Sequence, residues 1–299
     1  MGLQFGIFDH IEPVPGLTLA QIYRERLLLL ERYDAAGFYA YHLAEHHTPA
    51  VHSLAPSQNV FLATASQRTR QLRLAPCVYV LPLHHPLQQP YPPMWYMRNV
   101  ETAARDGMNA IIVGSLDSFE ANVIRYRELW DEYHGVGART LQGTEPKIGL
   151  VHHIVLAATK EEAVAIARPA WQEYVWNLEA PRRLEAEQRG LTQFLGANMN
   201  KRPAGLPDRE ADRERYRLPE RPEVQRRRRV TPGGLGGEGR GAGFNVIAGT
   251  PDSIRTYMDE YVTTGAHYFV CSFQWGNLTH DQAKRSIDLF IEDIMPHYL

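Results

Sequence analysis

Three histidines and one glutamate lie close together at residues 42–47, in the sequence HLAEHH. Read as H-x-x-E-H, this segment matches a zinc-binding motif, but that motif needs a helix that presents both imidazoles on one face. The preceding residues FYAYHL predict a strand, and Thr48 and Pro49 follow. We therefore expect no metal site here. Two interpretations stay open: a histidine-rich surface loop, or a catalytic site with His46 at the end of a barrel strand.

The composition sets limits on partners and location. The net charge of −2 and the 44% hydrophobic content are ordinary for a globular protein and predict neither a nucleic-acid partner nor a membrane surface. The two cysteines, Cys77 and Cys271, stand in apolar runs without C-x-x-C spacing, which argues against a disulfide framework. No signal-peptide pattern and no run of about 18 apolar residues is present, so we expect a cytoplasmic protein.

Apolar strands and amphipathic helices alternate along most of the chain. Such alternation predicts an α/β fold whose parallel strands are covered by helices, and it leaves a doubly wound sheet and a closed barrel open. About seven strands are recognisable. They are predicted at residues 3–8, 38–43, 72–81, 94–97, 110–114, 148–156 and 267–273, with helices near 18–37, 55–68, 99–106, 117–134, 160–178 and 278–295.

Residues 197–247 break the alternation and are rich in Arg, Pro, Glu and Gly. This composition buries little apolar surface, so we predict a flexible insertion within one domain that covers residues 1–299. The sequence GLGGEG at 234–239 formally matches G-x-G-x-x-G. It opens no helix and follows no strand, so we reject it as a dinucleotide site.

The chain resembles the bacterial-luciferase-like flavin-dependent monooxygenases in two long stretches. The first is residues 45–87, from EHHTPA through NVFLATA and LAPCVYVLP to HHPL, and the second is residues 249–299, from GTPDSIRTY to the final Met-Pro. The resemblance implies a TIM (β/α)₈-type barrel that uses reduced FMN, supplied by a separate flavin reductase, and O2 to oxygenate a small organic substrate. A branch of the same fold uses F420 and transfers hydride, and this alternative stays open.

The resemblance also implies roles for individual residues. His46 is expected to assist chemistry at the flavin, and Glu45 to orient or solvate it. Arg98 and Asn99 stand where the family has a Glu-Ser pair that binds the flavin phosphate, so they are expected to replace it at a helix N-terminus. Phe273, Gln274 and Trp275 are expected at the barrel mouth. The expected cofactor contacts are Phe8, Cys77, Val78, Tyr79, Arg98, Asn99 and Gly114.

One departure from the family falls between Leu87 and Gln88. HHPL runs directly into QQPYPPMWYM, a motif that the family carries much later, so a helix, a strand and a further helix are missing at this junction. We therefore predict an incomplete barrel of about seven strands. The missing strand carries a phosphate contact, and the missing helix belongs to the family's dimer interface, which leaves homodimer formation open. A truncated, non-catalytic flavin-binding protein is the alternative to an active enzyme.

Overall fold

A computed structural model of the chain describes residues 2–14, 16–45, 53–55, 57–77, 92–188, 190 and 245–299. Every strand pair in these residues is parallel, as the alternation of strands and helices predicts. The strands are β1 Gln4–Asp9, β2 Ala40–Ala44, β3 Arg73–Cys77, β4 Trp95–Met97, β5 Asn109–Ile112, β6 Ile148–Leu156, β7 Asn245–Gly249 and β8 Tyr268–Ser272.

Helices follow most of the strands, and polar side chains fix where they begin. Thr18 and Gln21 form a capping box at the start of α1, and Thr279 and Gln282 form another at the start of α7. Helix α5 extends ten residues past its predicted end at residue 178. The helices are α1 Leu19–Ala35, α2 Gln58–Ser66, α3 Val100–Arg105, α4 Leu116–His134, α5 Lys160–Gln188, α6 Pro251–Thr263 and α7 His280–Asp293.

Seven strands form a nearly closed barrel in the order β3-β2-β1-β8-β6-β5-β4. Within the described residues, β3 pairs only with β2 and β4 only with β5, so the two end strands leave a gap. This confirms the predicted incomplete α/β barrel. The gap lies between the strands that flank the junction at Leu87 and Gln88, and residues 78–91, including the predicted end of β3, lie outside the described residues.

Strand β7 was not predicted, and it pairs with the second half of β6 outside the seven-strand path. Its first three residues, 245–247, fall within the predicted flexible insertion, so that boundary is wrong. The short apolar sequence NVIAG follows a glycine-rich run directly, and this composition hid the strand. Residues 197–244 lie outside the described residues, and their predicted flexibility stays a prediction.

Side chains alternate between the barrel interior and the surrounding helices. On the outer side, the ring of Phe5 lies 6.2 Å from that of Phe269 and 5.4 Å from that of Phe290 on α7. On the inner side, Phe8 packs in a cluster with Cys77 and Val270. Because side chains alternate along each strand, the inward ones fill the barrel, and those near the C-terminal strand ends reach its open mouth.

Two buried histidines couple the stability of this core to pH. His42 Nε2 lies 2.8 Å from the hydroxyl of Tyr268, and His152 Nε2 lies 2.9 Å from the hydroxyl of Tyr257. Burial lowers the pKa of both imidazoles to about 3. In the unfolded chain both imidazoles bind a proton as the pH falls below about 6.5, whereas in the folded chain they do not. Their contributions to the free energy of unfolding are therefore complete above about pH 6.5 and are lost as the pH falls.

Between pH 7 and pH 5.5, we expect each of these histidines to lower the free energy of unfolding by about 1 kcal/mol, a contribution given by the difference between the wild type and a variant that lacks the histidine. Urea titrations at the two pH values measure it. Over this pH range the free energy of unfolding of His152→Phe should fall by about 1 kcal/mol less than that of the wild type, whereas His297→Phe, at an exposed position, should behave as the wild type. An unchanged pH dependence in the His152→Phe variant would contradict this assignment.

Candidate active site at the barrel mouth

The C-terminal ends of β1, β2 and β3 bring together an apolar wall. Ala44 and Cys77 end their strands, Phe8 is the last residue but one of β1, and all three lie in one buried cluster, so the structure brings two predicted cofactor contacts together. The Cys77 N–H donates to Gln58 Oε1 at 3.2 Å. Burial raises the pKa of the Cys77 thiol to about 12, so Cys77 is a neutral wall residue at physiological pH.

Glu45, predicted to orient the flavin site, is bound to the start of a helix. Its Oε2 accepts the backbone N–H of Gln58 at 3.0 Å, the first residue of α2. The N-cap residue Ser57 makes no side-chain cap bond, so the Glu45 carboxylate supplies the negative charge that this helix end favours. Its neighbour His46 lies outside the described residues, as do Val78 and Tyr79.

Arg98, Asn99 and Gly114 follow the adjacent strands β4 and β5. Arg98 is exposed and has a φ of 73°, and its N–H donates to the carbonyl of Ile111 at 2.8 Å. Asn99 Oδ1 accepts the Thr102 N–H at 2.9 Å and caps α3. Gly114 has a φ of 144°, which favours glycine. The structure therefore places one cation and one amide side chain beside the β5 end.

The predicted residues after β8 separate into two groups. Phe273 packs its ring 5.4 Å from that of Phe290 on α7, so it faces the helix layer and its predicted place at the mouth is wrong. Trp275 lies 5.3 Å from the ring of His153, the inward residue of β6. Gln274 and Trp275 are buried, and their side-chain polar atoms have no hydrogen-bond partner among the described residues. Such atoms suit contacts to a bound molecule.

Aromatic side chains from α5 cover this part of the mouth. The Tyr174 ring lies 4.6 Å from that of His153 and 5.8 Å from that of His10, and Trp171 lies 5.3 Å from Tyr174. Together with Trp275 they form a buried aromatic cap above the barrel interior. The sequence did not predict this aromatic cap, because Tyr174 is distant from His10 along the chain and contacts it only in the folded protein.

Charged groups that the sequence did not predict lie at the end of β1, in the segment after it and on α1. Arg26 Nε lies 2.9 Å from Asp9 Oδ2, which also accepts the Tyr41 hydroxyl at 2.7 Å. Glu12 is almost completely buried. The sequence DHIE directly after a predicted strand contained the signal, since a barrel enzyme places polar residues at that end.

Within the described residues, no group of three His, Cys, Asp or Glu side chains could hold a metal ion. His42, part of the zinc-like motif, lies inside the barrel on Tyr268. No described helix is long and apolar enough to cross a membrane. Both cysteines are buried free thiols.

A nearly closed parallel barrel with polar groups at the C-terminal strand ends is the architecture of the TIM-barrel fold. Comparison with known proteins shows which family one segment of the chain resembles. Residues 3–88 match the model of the luciferase-like monooxygenases. The match ends at the junction between Leu87 and Gln88.

Curated relatives match short parts of the chain. The protein y4wF of Sinorhizobium fredii is 55% identical over 86 residues, which are 29% of this chain and 25% of that protein. Limonene 1,2-monooxygenase of Rhodococcus erythropolis is 43% identical over 60 residues, 20% of this chain and 15% of that enzyme. The matched segments thus span a quarter or less of these two relatives.

Solved structures match nearly the whole chain in fold. The oxygenating constituent of 3,6-diketocamphane monooxygenase from Pseudomonas putida, in complex with FMN, has a TM-score of 0.63 at 12% identity over 99% of both chains. The F420-dependent tetrahydromethanopterin reductase from Methanopyrus kandleri has a TM-score of 0.57 at 12% identity over 100% of both chains. At this identity, the likeness shows the luciferase-like barrel fold.

Proposed function

We propose that this protein is a flavin-dependent monooxygenase, which uses reduced FMN and O2 to oxygenate a small organic substrate. The observation that carries the proposal is the family match of residues 3–88, because that segment supplies β1, β2 and β3 and the mouth residues at their ends. Limonene 1,2-monooxygenase is 43% identical to this chain over 60 residues. A small apolar molecule such as a monoterpene is therefore a reasonable test substrate.

The described residues fit a flavin in part. Phe8 and Cys77 give an apolar wall for a planar ring, and the buried polar atoms of Gln274 and Trp275 offer hydrogen bonds. Arg98, at the start of α3, supplies positive charge for a phosphate group. Reduced FMN, when bound, supplies the electrons that activate O2. The protein residues hold the ring, limit water access and, through His46, exchange protons.

A separate flavin reductase is the proposed partner. The related structure from Pseudomonas putida is described as an oxygenating constituent, which supports a division of labour between oxygenation and flavin reduction. We place the enzyme in the cytoplasm, where reduced nicotinamide cofactors are available to such a reductase. Formation of a homodimer stays a prediction.

Oxygenation is tested with the purified protein, a flavin reductase, NADH, FMN, ¹⁸O2 and limonene or a cyclic ketone. We expect one ¹⁸O atom in the organic product, measured by mass spectrometry, and no labelled product when the reductase is omitted. Saturable FMN binding without labelled product from any of a panel of monoterpenes and ketones would favour the non-catalytic interpretation. The gap between β3 and β4 is the observation in favour of that interpretation.

F420-dependent hydride transfer is the second candidate, because solved structures of similar fold include F420-dependent enzymes. Parallel titrations with FMN and F420 distinguish the two. We expect FMN to bind more tightly, since the relatives matched in sequence include a monooxygenase at 43% identity. Tighter binding of F420, together with oxidation of a secondary alcohol, would replace the monooxygenase proposal.

The junction offers a direct test of what the missing segment does. Insertion of the helix-strand-helix segment of a luciferase-like relative between Leu87 and Gln88 should tighten FMN binding about ten- to a hundredfold, because it restores a charge-assisted phosphate contact. A Gly/Ser insertion of equal length is the matched control and should leave the affinity unchanged. Equal affinities for both insertions would show that the junction does not limit flavin binding.

A further inference from the structure

Glu12 connects three elements at the barrel mouth. Its Oε2 accepts the backbone N–H of Gly276, in the segment after β8, at 2.6 Å. Its Oε1 accepts Nδ2 of Asn177, on α5, at 3.3 Å. Glu12 itself belongs to the segment after β1, and only 1% of its surface is exposed. One carboxyl group therefore links the β1 end, the β8 end and α5.

The backbone around Glu12 is built to place it there. Ile11 has a φ of 51°, which is costly for a β-branched residue, and its N–H donates to Asp9 Oδ1 at 2.9 Å. Gly276 has a φ of 57°, and a Cβ atom on it would lie 1.9 Å from the carbonyl oxygen of Ala170. The segment after β8 thus lies directly on the α5 backbone, and only glycine fits.

Helix α5 carries the aromatic cap at this position. Tyr174, one turn before Asn177, contacts His10 and His153, and Trp171 contacts Trp275 at 6.1 Å between ring centroids. These side chains are buried and cover the inward faces of β1 and β6. A movement of α5 away from Glu12 would therefore uncover the barrel interior from this side.

We propose that Glu12 is a positioning residue that holds α5 and its aromatic cap over the barrel mouth in the protonated form, so that rising pH opens the mouth. The proposal concerns α5 alone and does not depend on flavin binding. It adds control of access to the function proposed above.

The charges around Glu12 support this proposal. Burial raises the pKa of its carboxyl to about 8, and the hydrogen bonds from Gly276 and Asn177 and the nearby Arg26 oppose the rise only in part. Arg26 is already paired with Asp9, whose own charge raises the pKa of Glu12 further. From α5, Tyr174 faces the carboxyl as a neutral phenol, because burial raises its pKa well above 10.

An opened mouth would return the Glu12 carboxyl to water, where its pKa is about 4.5. The open form then releases a proton that the closed form retains between about pH 4.5 and pH 8. Opening should therefore become about tenfold more favourable for each pH unit in this range and level off above pH 8. His10 and His153 also face Tyr174, so the comparison of Glu12→Gln with the wild type from pH 6 to pH 9 isolates the contribution of the Glu12 carboxyl.

Two measurements on the full chain without flavin test this proposal. One is amide hydrogen exchange, corrected for the intrinsic pH dependence of exchange, and the other is acrylamide quenching of tryptophan fluorescence. In the wild type, protection of residues 160–188 should fall about a hundredfold from pH 6 to pH 8 and then stay constant. Glu12→Gln mimics the protonated carboxyl and should keep α5 protected throughout. Glu12→Ala should leave it unprotected throughout, and the exposed control Glu161→Gln, on the same helix, should behave as the wild type.

Two results would overturn the proposal. One is a wild-type protection of residues 160–188 that does not change with pH, and the other is the same pH dependence in Glu12→Gln as in the wild type. If Glu12→Ala does not fold, the comparison of Glu12→Gln with the wild type decides alone. Because no flavin is present in these measurements, failure of the proposed monooxygenase activity would leave their outcome unaffected.

Discussion

His46→Ala should lose about 10²–10⁴-fold in the rate of oxygenation while it keeps its fold and its FMN affinity. The expectation follows from the sequence, in which His46 comes two residues after Ala44, the last residue of β2, and barrel enzymes carry their working side chains after the C-terminal ends of their strands. An imidazole there can donate or accept a proton near neutral pH, and alanine cannot. Rates of labelled product formation with excess reduced FMN measure the effect.

His47→Ala is the matched control, because it removes the same chemical group from the next residue. It should keep most of the oxygenation rate, and thermal unfolding of both variants should match that of the wild type. If His46→Ala oxygenates the substrate as fast as the wild type, the catalytic assignment is wrong. If only His47→Ala loses activity, the catalytic histidine is the neighbouring one.

Arg26→Ala should lower the free energy of unfolding by about 3–5 kcal/mol, the largest effect on stability that we expect. Arg26 and Asp9 are both buried, and removal of the guanidinium leaves the Asp9 carboxylate without its ionic partner. The remaining donors to Asp9 are the Tyr41 hydroxyl and the Ile11 N–H, which carry no charge. Denaturant titrations at pH 7 provide the measurement.

Arg32→Ala on the same helix is the control for this effect. Arg32 pairs with Asp288 at 2.9 Å, but its side chain is 39% exposed, so its loss should cost about 1 kcal/mol or less. The double variant Asp9→Asn with Arg26→Met should be more stable than Arg26→Ala, since it leaves no buried charge. Equal losses of unfolding free energy for Arg26→Ala and Arg32→Ala would show that burial does not increase the cost of removing one partner of an ion pair.

The order of strands and helices was predictable because each element repeats its apolar residues at the period of its own geometry. The nine-residue strand Ile148–Leu156 is buried at every position and was predicted at the observed bounds. Asn245–Gly249 was missed because five residues beside a glycine-rich run carry little periodic signal. The gap in the barrel was predictable because the junction at Leu87 leaves too little chain for another strand and helix.

The candidate site was predicted less completely, since most of it depends on contacts between distant residues. Phe8 and Cys77 were found through resemblance and do line one cluster. Glu12 was missed, because its hydrogen bonds with Gly276 and Asn177 join residues that are far apart in the sequence. Glu45 was assigned to the flavin, and the structure gives it a contact to the start of α2 that no spacing rule predicts.

Fluorescence titration of FMN with the purified protein tests the central claim, a flavin site weakened at its phosphate end. We predict saturable quenching with a Kd in the range of about 10⁻⁴ to 10⁻³ M and colourless protein as purified, because at least one charge-assisted phosphate contact is missing with the lost segment. Arg98→Ala should weaken FMN binding further and leave riboflavin binding unchanged. Tight stoichiometric FMN binding would contradict the weakened site, and the absence of saturable binding would contradict the flavin site itself.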